Sequence, residues 1–208
     1  MAGGWFIAFG FSLEQMSFYK FDSEVPTEFS QAADSLAKPT LRSELEIEQI
    51  ASPNGIAPHA LAFSAEIPNK ASESRNRGVG RIVFIYDESQ NETWGGNMRI
   101  IAYGKSPLME VEQGVHEDPT HWYWGTLTRA LKLHGAIYSH EAGTVTVMTS
   151  KGMGSLSEDN PTNEIELRAS WTPMDGDFGL HFAAWQDLIA GMAGYSPDGD
   201  SVISLTTK

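Results

Sequence analysis

The chain has 208 residues, of which 41% are hydrophobic and 20% are charged, and it contains no cysteine. This length suits one domain, and the composition is that of a globular protein, which excludes a disordered or fibrous chain. The formal net charge of −13 at pH 7 repels phosphate backbones and argues against nucleic-acid binding. The lack of cysteine excludes disulfides, thiolate metal sites and cysteine nucleophiles, and it fits a cytoplasmic location.

Residues 1–25 are predicted to form an N-terminal extension. The stretch 1–13, MAGGWFIAFGFSL, is apolar, but it has no basic n-region or cleavage site and is too short to span a bilayer. We therefore expect no membrane association. The extension is interpreted as disordered, as covered by a partner, or as a mis-assigned start with Met16 as the true one. A single domain is expected over 26–195, with a tail over 196–208.

The first predicted elements are one helix and two strands. The apolar spacing within 26–38 indicates a helix, which Pro39 ends. In 42–50, RSELEIEQI, apolar residues alternate with glutamates, which is typical of a strand with one solvated face. The same alternation recurs over 61–67 after the turn SPNG, so a second half-buried strand is predicted there.

The next two predicted strands complete a four-stranded meander. The continuous apolar run RIVFIY at 81–86 predicts a central strand buried on both faces. A fourth strand is expected from Met98, and the preceding Gly95-Gly96 pair is interpreted as a bulge or as a place of close backbone approach.

The second half of the chain is predicted to add two helices and two strands. A helix is expected within 118–136, a strand from Gly143 through TVTVM, a strand over 164–172 and a final helix from the cap Asp177 to Gly194. The order is thus helix, four strands, helix, two strands, helix. Because strands and helices do not alternate, we predict a single α+β domain with a mainly antiparallel sheet of about six strands and helices packed on one face.

No motif in the sequence indicates catalysis or a cofactor. A G-x-S-x-G sequence, a P-loop and an EF-hand are all lacking. His116 and His121 are five residues apart across Pro119, a spacing that does not place both imidazoles on one helix face, so Asp118 is interpreted as a helix cap rather than a metal ligand. We predict no catalytic residue, no metal and no cofactor, and we favour a protein that is not an enzyme.

One predicted helix carries a candidate interaction surface. On a helical wheel of 118–136, Tyr123 and the apolar residues that follow it form the stripe that faces the core, and His134 is the last residue of this stripe. We expect His134 to place a positive charge or a hydrogen bond near the last carbonyl groups of the helix. Trp122, Arg129 and Leu133 fall on a separate face. We expect Trp122 and Leu133 to be covered by the N-terminal extension, by another element or by a second subunit.

Four further residues form a candidate pocket between the sheet and the helices: Trp94, Arg99, Tyr103 and Arg168. An arginine on a strand face can bind a carboxylate or a phosphate. It can equally pair with glutamates of a neighbouring strand, and this alternative stays open.

Several segments in their order give a family resemblance: LRSELEIEQI, FIYD followed by WGGNMRIIAY, WYWGTLTRALKLHGA, GTVTVMTS and EIELRASWTP. From Pro26 to Tyr195 the chain resembles an actinobacterial family of domains of unknown function, DUF3000. The resemblance implies a cytoplasmic actinobacterial protein, and it implies no activity, cofactor or site residue. In element order and charge the chain is also similar to type III secretion chaperones, which are small, acidic, often dimeric α+β proteins that bind extended segments.

Two functions remain open at this point. The first is a non-enzymatic protein-binding or adaptor domain, chaperone-like, whose partner is another protein or a second copy of the chain. The alternative is a small-molecule-binding protein or enzyme that uses the candidate pocket.

Overall fold

The computed structural model describes residues 25–68, 78–108, 118–157 and 161–196. These ranges contain six strands and four helices. In chain order the elements are α1 Thr27–Asp34, β1 Glu46–Ile50, β2 His59–Glu66, β3 Val79–Tyr86, α2 Asn91–Trp94, β4 Met98–Pro107, α3 Pro119–Leu133, β5 Tyr138–Ser150, β6 Thr162–Pro173 and α4 Phe178–Met192. The predicted single-domain α+β class is confirmed.

The six strands form one antiparallel sheet in the order β1-β2-β3-β4-β6-β5. The predicted meander of the first four strands is confirmed, because each pairs with its neighbour in sequence. Ile82 through Tyr86 of β3 are buried, as expected of a central strand. β6 lies between β4 and β5, so that β5 is the last strand on this side of the sheet. The two edges of the sheet are therefore β1 and β5.

The three longer helices, α1, α3 and α4, cover one face of the sheet, as predicted, and leave the other face, the helix-free face, to a smaller cluster that includes Trp94 at the end of the four-residue helix α2. Rings from β3 and α4 meet on the covered face, with centroids of Phe84 and Phe178 4.6 Å apart. Gly80 of β3 and Gly104 of β4 allow close approach, since a Cβ at Gly80 would lie 2.5 Å from Ile189 and a Cβ at Gly104 would lie 2.6 Å from Met192 Sδ. Real Cβ atoms do not approach other atoms so closely, so these two glycines let α4 lie directly on the sheet.

Side-chain caps begin the two long helices where the sequence predicted them. Asp118 accepts a hydrogen bond from the Thr120 amide at 2.9 Å, and Asp177 accepts one from the Leu180 amide at 3.3 Å. Each carboxylate satisfies an amide that has no partner within the helix and also lies at the positive end of the helix dipole.

Three local predictions differ from the structure. Gly95 is not a bulge but ends the short helix α2 in a left-handed conformation, with φ of 71°, a usual way for glycine to stop a helix. The other interpretation of the glycine pair, a close backbone approach, agrees with the structure, because the His140 ring lies against Gly95. β5 begins at Tyr138 rather than Gly143, because a register shift between Ser139 and Ala142 lets the strand continue through a bulge. β1 begins only at Glu46, because Arg42 takes part in a polar network instead. The extension up to residue 24, the tail from 197 and His116 lie outside the described residues.

Candidate functional site

The predicted interaction surface on α3 is divided between two environments. Trp122 is partly buried at the margin of the main core, where its ring lies edge-on to that of Tyr123 with centroids 4.8 Å apart. Leu133 is 67% exposed. Arg129 is exposed and lines an open groove of about 660 Å³ between α3 and the start of β5. Trp122 is thus covered in part by the main core of the domain. Leu133 is not buried by any described residue.

The four predicted pocket residues gather on the opposite side of the sheet from the one expected. Side chains alternate along a strand, and Ile100 and Ala102 of β4 belong to the helix-side core. Arg99 and Tyr103 must therefore point to the helix-free face. Arg168 pairs with Tyr103 across β4 and β6, with its guanidinium carbon 5.8 Å from the tyrosine ring centroid. The residues are neighbours, but they do not line a space between sheet and helices.

Arg99 differs from Arg168 in its partners. Arg168 forms an ion pair with Glu166 at 2.8 Å. Arg99 donates instead to neutral oxygens, Thr172 Oγ1 at 3.0 Å and Ser170 Oγ at 2.8 Å, and it forms no ion pair with any described carboxylate. Burial lowers the pKa of Arg99, since desolvation disfavours the charged form. The helix-free face thus holds a partly desolvated cation whose charge is not neutralised by the described part of the chain.

The end of this face near Arg99 also contains a backbone irregularity. Thr172 links Arg99 to α2, because its hydroxyl also donates to the Trp94 carbonyl oxygen. The ring of His140, in the β5 bulge, packs against Gly95 so closely that a Cβ there would overlap it. His140 has a φ of 52°, which is uncommon for a residue other than glycine. The contact of His140 with Gly95 was not predicted from the sequence, since it joins segments 45 residues apart and depends on a bulge that has no composition signal.

A buried polar network fastens the segment before β1 to α4. The Arg42 side chain is 10% exposed and donates to Asp187 and Glu44, each at 2.8 Å. Burial alone would lower the pKa of Arg42, but the two carboxylates outweigh it and the pKa is raised. His134 Nε2 lies 2.7 Å from the other Asp187 oxygen, so its partner is α4 rather than the α3 carbonyls expected from the sequence. The network joins three segments and so has a structural role.

A second buried network surrounds His181, which is 0% exposed. Trp171 Nε1 donates to His181 Nδ1 at 3.0 Å. Indole is a donor only, so Nδ1 must be the unprotonated nitrogen, and Nε2 carries the hydrogen that faces Asp175 at 3.2 Å. Burial alone would raise the pKa of Asp175, but hydrogen bonds from His181 and from two backbone amides lower it. All three groups are satisfied by one another, which indicates a structural role.

β5 is the longest and most exposed strand of the sheet, and one of its sides is a free edge. β5 has 13 residues, and its stretch 143–150, GTVTVMTS, contains neither charge nor proline. β1, at the other edge, has five residues, two of them glutamates. Short strands and charges are the usual protection of a sheet edge against pairing with another chain. By this criterion β1 is protected and the second half of β5 is not.

Exposed apolar side chains concentrate around the same edge. Of the six large hydrophobic residues that are exposed in the described part of the chain, five lie between 133 and 156, at the end of α3, on β5 or next to either end of β5: Leu133, Ile137, Val147, Met153 and Leu156. The sequence predicted a strand here but not its edge position, because the insertion of β6 beside β4 has no local signal. Two sequence features pointed to this surface, the helical position of Leu133 and the uncharged run 143–150.

The described part of the chain contains no group of three or more potential metal ligands. Its helices are all too short or too polar to cross a membrane.

Comparison with known proteins identifies a family. The model of the family "Protein of unknown function (DUF3000)" matches residues 25–202, and the chain therefore belongs to this family. No curated protein and no solved structure matches the chain.

Proposed function

We propose that this member of the DUF3000 family is a protein-binding domain and that it binds through the outer edge of β5. The observation that carries the proposal is the contrast between the two sheet edges: β1 is short and acidic, whereas β5 continues for eight residues without charge or proline. An unprotected edge offers a row of main-chain donors and acceptors to an incoming strand. Binding by strand addition is an established mode of peptide recognition.

The exposed apolar residues supply the side-chain part of this binding surface. Leu133 and Ile137 flank the start of β5, and Met153 and Leu156 flank its end; their exposed fractions are 67%, 62%, 72% and 58%. Main-chain hydrogen bonds give strand addition its affinity, and pockets or apolar contacts along the strand give it specificity. Such a surface suits an extended segment of a partner protein, which supports an adaptor or chaperone-like role.

Photo-crosslinking in the native host tests this proposal. A photo-reactive residue replaces Thr146 at the middle of β5, and in a matched control it replaces Gln49 on β1. We expect protein adducts at position 146 and few or none at position 49, because only the edge of β5 is free of charge. Adducts of equal yield at both positions, or none at position 146, would contradict the proposal.

A second candidate function follows from Arg99. This arginine is partly buried with neutral partners, and it lies on the same face as Trp94 and Tyr103. A guanidinium in this state gains from an added anion, because a carboxylate or phosphate replaces solvation that burial has removed. The domain would then bind a small anionic molecule on its helix-free face.

Titration with inorganic phosphate and citrate tests the second candidate. We expect the melting temperature of the wild type to rise with anion concentration and that of Arg99→Gln to stay constant. Arg168→Gln is the matched control, since Arg168 is already paired with Glu166. An equal response of all three proteins would indicate a general salt effect and would rule this candidate out.

A further inference from the structure

We infer that the partner of β5 is a second copy of the chain, which pairs antiparallel with the segment 142–150 about a two-fold axis at Thr146. This inference rests on the proposed function and specifies its partner. Two-fold interfaces use the same surface on both subunits. A strand fits such an interface only if its sequence is compatible with its own reverse.

The segment 142–150, AGTVTVMTS, meets this requirement at every position. With Thr146 opposite itself, Val145 faces Val147 of the second copy, Thr144 faces Met148, and the remaining pairs join small neutral residues. Paired residues have the same parity and so lie on the same face of the sheet. Cross-strand pairs of β-branched side chains are favourable.

The charges at the two ends of the segment complement each other in this register. Glu141 immediately precedes the segment, at the bulge, and Lys151 immediately follows it, so each Glu141 comes next to the Lys151 of the other copy at the ends of the paired segments. Both are exposed, and neither forms an ion pair within the described residues. A shift of the pairing by one residue in either direction separates them. The two charge pairs thus select one register for a strand whose interior would tolerate several.

The valines give the pairing an apolar contribution on the helix side. Val145 faces the main core and is partly buried, whereas Val147 is 38% exposed. In the proposed dimer the Val145 and Val147 side chains of the two copies form one group of four, which extends the core across the axis. The nine-residue segments would exchange roughly eight to ten main-chain hydrogen bonds, because alternate pairs exchange two each.

Repulsion between two acidic chains does not oppose this interface locally. The net charge of the chain is −13, but the segment itself is neutral. β1 is different, since an equivalent pairing about its middle residue would place the Glu48 side chains of the two copies opposite each other. The same comparison explains why self-association uses one edge of the sheet rather than both.

The mass of the full chain in solution gives the first test. Sedimentation velocity should show a dimer for the wild type and for Gln49→Lys, and a dissociation constant raised at least about tenfold for Thr146→Lys, whose lysines face each other at the axis. Glu141→Lys and Lys151→Glu should each weaken the dimer, and the double substitution should restore it. A monomeric wild type, or a double variant as weak as the single ones, would overturn the inference.

Disulfide formation by a single introduced cysteine gives the second test. No other disulfide can form, because the chain contains no cysteine of its own. Opposing Cβ atoms in an antiparallel pair are about 5 Å apart, so Thr146→Cys should form a disulfide-linked dimer on mild oxidation. Gln49→Cys should not. Absence of crosslinking at 146 in a dimeric protein would show that another surface is used. In a monomer, protection from hydrogen exchange of the β5 amides that do not pair with β6, lost when residues 1–24 are deleted, would identify those residues as the occupant and would also overturn the inference.

The two proposals can fail separately. If the wild type is monomeric but position 146 still crosslinks to a different protein, the dimer is wrong and the protein-binding function remains. If neither self-association nor adducts occur at position 146, both are wrong.

Discussion

The hydrogen bond between Trp171 and His181 should contribute measurably to stability, because both side chains are 0% exposed. His181→Phe keeps a ring in the site but removes the acceptor of the Trp171 Nε1 donor. An unsatisfied buried donor costs about 1–3 kcal/mol, and the lost bond to the charged Asp175 costs about 1.5–3 kcal/mol more. We therefore expect the free energy of unfolding to fall by about 2.5–6 kcal/mol. For a chain of this size the melting temperature should fall by roughly 10 °C.

A double-mutant cycle separates this bond from changes in packing. Trp171→Phe removes the donor and part of the ring volume, at a cost of about 2–3 kcal/mol. In the double variant no indole hydrogen is left without an acceptor, so the double variant should be less destabilised than the sum of the single ones by about 1–3 kcal/mol. The measurement is urea unfolding followed by circular dichroism. Additivity within about 0.5 kcal/mol would refute the assignment of His181 Nδ1 as the acceptor.

Three further predictions follow from the packing and the carboxylates. Gly80→Val should lower the free energy of unfolding by about 2 kcal/mol, because its Cβ would overlap Ile189. The control Gly125→Ala on α3, whose Cβ meets no atom within 4 Å, should raise the free energy of unfolding by about 0.5–1 kcal/mol. Equal effects of the two substitutions in thermal unfolding would argue against the close contact between Gly80 and Ile189. Asp187→Asn should lower the free energy of unfolding by about 2 kcal/mol, because it removes the charge that pairs with Arg42. A variant that unfolds at the same urea concentration as the wild type would contradict a stabilising role of Asp187. Because the pKa of Asp175 is lowered in the folded protein, the ionised carboxylate stabilises the fold above the pKa of an unfolded aspartate, about 3.9, and this stabilisation is lost as the pH falls through the pKa of the folded state. Between pH 6 and pH 2.5 the free energy of unfolding should therefore fall less steeply with pH in Asp175→Asn than in the wild type. Identical pH dependences in the two proteins would be the contrary result.

The sequence predicted those elements whose signal is local. Alternating apolar residues gave the strands of the meander, the run 81–86 gave the central strand, and Asp118 and Asp177 marked the helix starts. Each of these features depends on residues within one or two turns or on a period of two or 3.6. The α+β class followed because the order of elements leaves few ways to bury their apolar faces.

The position of the candidate sites depended on contacts between distant segments. Arg99 and Arg168 were identified as functional candidates from the sequence. The face of the sheet to which they point could not be predicted, because it depends on which residues of β4 and β6 pack beneath α4. The left-handed backbone of His140 and the contact of its ring with Gly95 were not predictable, because a bulge depends on the partner strand as much as on its own residues.

The sequence by itself determined that 143–150 is an uncharged, alternating strand. Only the tertiary structure decided that this strand is an edge. β6 follows β5 in the chain but pairs with β4 on one side and β5 on the other, an arrangement set by how the helix-side faces of the strands pack beneath α3 and α4. Edge position is a property of the whole sheet, since it depends on which pairings all the other strands have already taken.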